Sequence, residues 1–92
     1  MKYEVETTNK FNKGLQRCKR RNLDIKSLWD VVEVIALGEK LPAKYKDHKL
    51  HGKYKDYREC HIEPDWLLIY KIDNDKLILT LTNTGSHSDL KF

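Results

Sequence analysis

Tyr57-Arg58-Glu59-Cys60-His61-Ile62-Glu63-Pro64-Asp65-Trp66-Leu67-Leu68-Ile69-Tyr70 reads as a β-hairpin, and the rest of the fold can be built outward from it. Glu63-Pro64-Asp65 supplies turn chemistry: proline presets its own φ and lacks an N–H, and aspartate bonds back to nearby backbone. Trp66–Ile72 is apolar at successive positions rather than alternate ones, so this strand buries both faces and belongs inside a sheet. Tyr54–Glu63 is its partner on the N-terminal side. Beyond an Asp73-Asn74-Asp75 turn, Lys76–Thr84 forms a third strand with Leu77, Leu79 and Leu81 toward the core.

Toward the N-terminus the period changes. Tyr3, Val5 and Thr7 alternate with Lys2, Glu4 and Glu6, as in a first strand with one buried face. Thr7 or Thr8 can cap a helix in which Phe11, Leu15 and Cys18 fall within about 60° of one another. Lys10, Lys13, Arg17, Arg20 and Arg21 occupy a separate wedge, so this helix has a core stripe and a basic stripe. Asn22 or Asp24 starts a second helix. Ile25, Leu28, Trp29, Val32, Ile35 and Ala36 recur at helical spacing in it, and Gly38 ends it. So short a connection predicts an antiparallel helical hairpin. Residues 39–53, with Pro42 and Gly52, lack periodicity and read as a long basic loop, a length often tied to function. The fold class is α+β: one domain over residues 1–92, in the order β-α-α-β-β-β. It has a mainly antiparallel four-stranded sheet with the helical hairpin packed on one face.

Composition narrows the partners. The net charge is +4 in 92 residues, which favours an anionic partner such as nucleic acid or an acidic protein, although plain solubility would also account for it. Lys and Arg outnumber acids in residues 1–26 and 40–58, whereas acids prevail in 59–92. Cys18 and Cys60 are far apart and match no metal-binding spacing, as expected of a reduced cytoplasmic protein. No stretch approaches the ~18 apolar residues of a membrane span, and Met1–Glu6 lacks the apolar region of a signal peptide.

His48, His51, His61 and His87 all lie in the second half of the chain. Cleaving RNA without a metal requires a base for the ribose 2′-hydroxyl, an acid for the leaving 5′-oxygen, and cations or N–H groups around the phosphate. His48, His61 and His87 are candidate acids and bases, and Asp65 can orient one of them. Arg58 can grip a phosphate with its planar fork, and Trp66 can stack on a base. Plainer readings stand beside these. Asp65 suits a turn, Trp66 and Tyr70 suit a core, and Arg58 can pair with Asp47 or Glu59. His48 and His51, with His61 or Cys60, could share a zinc ion, but their spacing fits no closed zinc pattern. Cys60 on a strand is more simply a small core residue. Glu59 and His61 share a face of a regular strand. Arg58 and His61 do not, unless the strand bends or bulges between them.

Tyr45-Lys46-Asp47-His48-x-Leu50-x-Gly52, the run Tyr57–Tyr70 and Gly85-Ser86-His87 together resemble the YafQ branch of the RelE/ParE toxin superfamily. The resemblance is dense from Leu41 to Leu90 and rests further upstream on length and helix order. It implies a microbial-ribonuclease-like fold. It also implies a ribosome-dependent endoribonuclease that cuts mRNA, needs no cofactor, and is neutralised by a cognate antitoxin. His48, His61, Asp65 and His87 match the family's catalytic residues, and Trp66 a residue that supports activity. Arg58, Lys46, Lys53 and Lys55 are then expected at RNA phosphates, and Lys10, Lys13, Arg17 and Arg20 at ribosomal RNA. In the family a phenylalanine follows the last histidine by four residues, whereas here Lys91 stands there and Phe92 comes next. Superfamily members of the ParE type poison gyrase instead, and a non-catalytic nucleic-acid-binding module is a third possibility. The three matched histidines argue against the gyrase poison, which has no need of them.

Overall fold

The structure is a computed structural model and describes residues 1–90, so the expectation for Phe92 lies outside the described residues. The elements run β1 (Glu4–Thr7), α1 (Asn9–Arg20), α2 (Ile25–Ala36), β2 (His48–Lys49), β3 (Arg58–Glu63), β4 (Trp66–Asp73) and β5 (Ile78–Gly85). Short 3₁₀ turns occupy Ala43–Tyr45 and Gly52–Tyr54.

The expected helix caps are present. Thr8 Oγ1 accepts from Phe11 N (3.0 Å) and donates to the Thr82 carbonyl (2.7 Å), so one hydroxyl starts α1 and fastens it to β5. Asp24 caps α2 by accepting from Lys26 N (3.2 Å) and Ser27 Oγ (3.0 Å). Arg17, Lys19 and Arg20 crowd the last turn of α1, where the helix dipole favours cations. Gly38, at φ +78°, ends α2 in the left-handed conformation that lets Glu39 N reach back to the Val34 carbonyl.

The sheet order is β1-β5-β4-β3-β2, which corrects the expected four-stranded sheet to five strands. The extra strand, β2, is a two-residue piece of the basic loop pairing antiparallel with β3, too short to leave an alternation in sequence. β1 pairs with β5 in parallel, with Glu4 opposite Ile78 and Thr7 opposite Leu81, so the sheet is mixed. Two further corrections are local. The partner strand begins at Arg58 rather than Tyr54, because Gly52–Tyr54 is wound into a 3₁₀ turn. Leu77 is not in the core but 45% exposed, because it takes φ +56° in the turn before β5.

β4 is central and does what its composition predicts. Trp66, Leu68 and Tyr70 join Phe11, Leu15, Leu28, Val32, Ile35, Leu79 and Leu81 in the main core under the helices. Leu67 and Ile69 face the other way and form a smaller cluster with Leu90, Leu50 and Tyr57. Each fully buried leucine or phenylalanine contributes about 1.5–3 kcal/mol relative to exposure.

α1 approaches β5 most closely at Gly14. A Cβ there would lie 2.4 Å from the Thr84 carbonyl oxygen, and backbone cannot swing aside as a side-chain tip can. Alanine at this position gains about 1 kcal/mol in helix propensity. Overpacking costs ~1–3 kcal/mol, and a clash against backbone belongs at the upper end. Gly14→Ala is therefore expected to lower the thermal midpoint. A midpoint at or above wild type would show that the helix can slide off β5 without loss.

Candidate active site

Strand register decides which side chains can meet. Residues directly opposite in a sheet share a face. His48 is opposite Glu59, Glu59 opposite Ile69, and His61 opposite Leu67. His48, Glu59 and His61 therefore line the face that carries the smaller cluster, away from the helices. Glu59 sits between the two imidazoles, its Oε1 3.6 Å from His48 Nε2 and 3.7 Å from His61 Nε2.

The hairpin turn and the end of β5 bring in the rest. Neither Pro64 nor Asp65 has a positive φ, so the turn is not one of the primed types whose twist matches a hairpin. A bulge between His61 and Glu63 leaves Ile62 unpaired and takes up the mismatch. Asp65 thereby comes within reach of the segment after Gly85. It accepts from His87 N (2.9 Å) and lies 2.5 Å from His87 Nδ1. These two bonds hold the Asp65 carboxyl below the usual carboxylate range. The His87 ring stands edge-on to His61, with centroids 5.7 Å apart.

Partners also fix the imidazole tautomers. The Lys46 carbonyl can only accept, so the proton it receives at 2.7 Å sits on His48 Nδ1. Asp65 likewise holds the proton on His87 Nδ1. In the neutral rings the free lone pair is then Nε2 in both. The arrangement provides three imidazoles and two carboxylates along one exposed face, which is equipment for moving protons.

Other expected residues are placed differently. Arg58 is opposite Tyr70 and so lies on the helix side, away from the histidines. The only bulge in β3 comes after His61, too late to turn Arg58 around. Its guanidinium bonds Asp47 through Nη2 (3.1 Å) and Nε (3.4 Å), and Asp47 also accepts from Tyr70 Oη (2.5 Å). Trp66 is 1% exposed, which keeps its ring from stacking on a base. Its Nε1 instead donates to Thr84 Oγ1 (3.0 Å), which in turn donates to the Leu67 carbonyl (2.7 Å). Trp66 thus sits behind the site and braces the end of β5 from which His87 departs.

Lys46 lines a cavity of about 480 Å³ with Lys44, Tyr45, His61 and Glu63, so two cations of the loop share a cavity with a site histidine. Lys53 and Lys55 are exposed on and just after the Gly52–Tyr54 turn, and Lys53 Nζ lies 5.2 Å from the centre of the Tyr54 ring. Along α1, Lys10, Lys13 and Arg20 are exposed, while Arg17 is half-buried and 3.7 Å from Asp89. Cys60 is buried on the helix side, its thiol pushed up to about 12 by desolvation, so it neither attacks nor completes a metal set with His48 and His51. Asp47, Tyr70 and Asp89 support the site. The expected pairing of Arg58 with Asp47 and the core placement of Tyr70 are both present, whereas Asp89 gave no signal in sequence.

The YafQ family of bacterial toxins of type II toxin–antitoxin systems matches this chain over residues 3–92. The mRNA interferase toxin YafQ of Escherichia coli K12 is 39% identical over 88 residues, covering 95% of this chain and 94% of that toxin. A chain in the crystal structure of the E. coli DinJ–YafQ toxin–antitoxin complex superposes with a TM-score of 0.89 at 33% identity, covering all of both chains. A metal-bound toxin from Helicobacter pylori superposes with a TM-score of 0.90 at 44% identity, covering 96% of this chain and 98% of that one.

Proposed function

Because this chain belongs to the YafQ family of type II toxin–antitoxin toxins, we propose that it is an endoribonuclease that cuts mRNA on the ribosome and so arrests translation. The observation that carries this reading is the convergence of His48, Glu59, His61, Asp65 and His87 on one open face. His61 and His87 stand edge-on with rings 5.7 Å apart, close enough for one to act as base and the other as acid on the same phosphodiester. His48 and Glu59 assist by passing or stabilising a proton at His61. Asp65 orients His87 and stabilises its charged form, as a carboxylate does behind any catalytic imidazole. No step needs a metal ion.

Lys46, Lys53 and Lys55 supply the positive field around the RNA, and Lys10, Lys13 and Arg20 that of the α1 surface toward ribosomal RNA. Arg58 acts indirectly, through Asp47, on the loop that carries Lys46 and His48. The toxin acts in the cytoplasm, where its substrate is. No helix among the described residues is long and apolar enough to cross a membrane. A cognate antitoxin as partner is supported by the superposed DinJ–YafQ complex and by the net charge of +4, which suits an acidic chain laid over this face.

The test is to map mRNA 5′-ends in cells after inducing this chain and its His87→Ala variant. New ends inside translated frames are expected with the wild type and not with the variant. Growth arrest with intact mRNA would reject the nuclease reading.

A further inference from the structure

Asp89 takes no part in the chemistry above, yet it gathers more polar contacts than any catalytic candidate. Its carboxylate accepts from Arg21 Nη1 (2.6 Å) and Nη2 (3.2 Å), and Arg17 Nη1 lies 3.7 Å away. It also accepts from Ser86 N (2.9 Å), while Asp89 N donates to Ser86 Oγ (3.2 Å) and Leu90 N to the Ser86 carbonyl (3.1 Å). The side chain is only 13% exposed. Gly85 takes φ +157°, and a Cβ there would lie 2.8 Å from Asp89 Cβ and Oδ2, so a side chain at 85 would displace the carboxylate. Leu90, the next residue, is buried against Leu67 and Ile69.

His87 lies within this closed turn, its own side chain and N–H facing Asp65. Asp65 and His87 are both well exposed, and an exposed pair is too weak to fix a catalytic ring alone. The turn has to be held from behind. We infer that Asp89 and Arg21 form a clasp that ties the 86–90 turn to the end of α1 and positions His87 opposite His61. Asp89 is a positioning residue and touches no substrate. The guanidinium and the Ser86 bonds hold its carboxyl well below the usual range, as a carboxylate bound in its charged form requires. Arg17, facing the same carboxylate, is partly withdrawn from the basic stripe of α1.

The catalytic part of this inference rests on the role proposed for His87; the geometric part does not. The experiment measures amide exchange by NMR together with kcat and KM for RNA cleavage, in wild type, Asp89→Ala, Asp89→Asn and Arg21→Ala. Loss of the clasp is expected to speed exchange of the His87 amide about tenfold or more in Asp89→Ala, with the β4 amides unchanged. Kcat should fall with it while KM holds. Asn, which can still accept from Ser86 and Arg21, should recover most of the loss. If Asp89→Ala does not fold, Arg21→Ala decides, since that side chain is exposed and Asp89 keeps its bonds to Ser86. Unchanged His87 exchange in a folded variant overturns the clasp. Faster exchange with unchanged kcat overturns its positioning role. Failure of the wild type to cut RNA would sink the proposed function, and the exchange data would still decide the clasp.

Discussion

His87→Ala is expected to slow RNA cleavage by about 10²–10⁴-fold, the contribution of a positioned acid or base, with His61→Ala comparable. The two losses should not multiply. Acid and base act on one phosphodiester in one transition state, so once either is gone the other has less to do. Asp65→Asn should cost far less. The Asp65–His87 pair is exposed and screened by water, so orienting and charging the ring is worth only roughly fivefold in rate. Single-turnover rates on a ribosome-bound message would separate these cases. A double variant cutting within about tenfold of wild type would remove acid–base catalysis by these histidines from consideration.

Asp47→Ala is expected to have the largest effect on stability of any single polar substitution at the supports. Asp47 is the common acceptor for Tyr70 Oη and the Arg58 guanidinium. Tyr70 is 2% exposed, and removing Asp47 leaves its buried O–H without an acceptor beside a half-buried cation. The cost should be about 2–3 kcal/mol, since Arg58 retains some access to water. In a domain of this size that lowers the thermal midpoint by roughly 10–20 °C. Tyr70→Phe removes one donor and leaves the ion pair, so it should cost only about 1 kcal/mol. Thermal unfolding of both variants checks the order. Equal losses would mean that Arg58 does not depend on Asp47. Cleavage should also suffer in Asp47→Ala beyond the loss of fold, because the next residue is His48.

Much of this was legible from local chemistry. Thr8 and Asp24 announced their helices because a cap needs only its own neighbours. The central place of β4 was readable because burial on both faces leaves a continuous apolar run. The histidine strings pointed to one site, and strand parity warned that Arg58 would stand apart from His61. The missing information was long-range or carried by too few residues. Nothing in Glu4–Thr7 specifies a parallel partner at residues 78–81, since alternation sets a face and not a neighbour. The two residues of β2 are too few to show any period. The basic stripe of α1 read as a uniform surface because the carboxylate that answers Arg17 and Arg21 lies far along the chain, at Asp89. Leu77 misled because its apolar side chain fits the alternation while its backbone is already turning.

The parallel pairing of β1 with β5 has a consequence for how the chain is made. β1 gains its sheet partner only when residues 78–81 exist, and α1 settles on that same strand through Gly14 and Thr84. While a ribosome is still synthesising the hairpin of β3 and β4, β1 has no sheet partner and α1 lacks the strand it lies on. Pairings so distant in sequence also close slowly. Assembly of this sheet therefore waits until β5 has been made. Since the Asp65–His87 arm hangs from the end of the same strand, a nascent chain that still lacks β5 carries no assembled histidine face against the ribosome that is producing it.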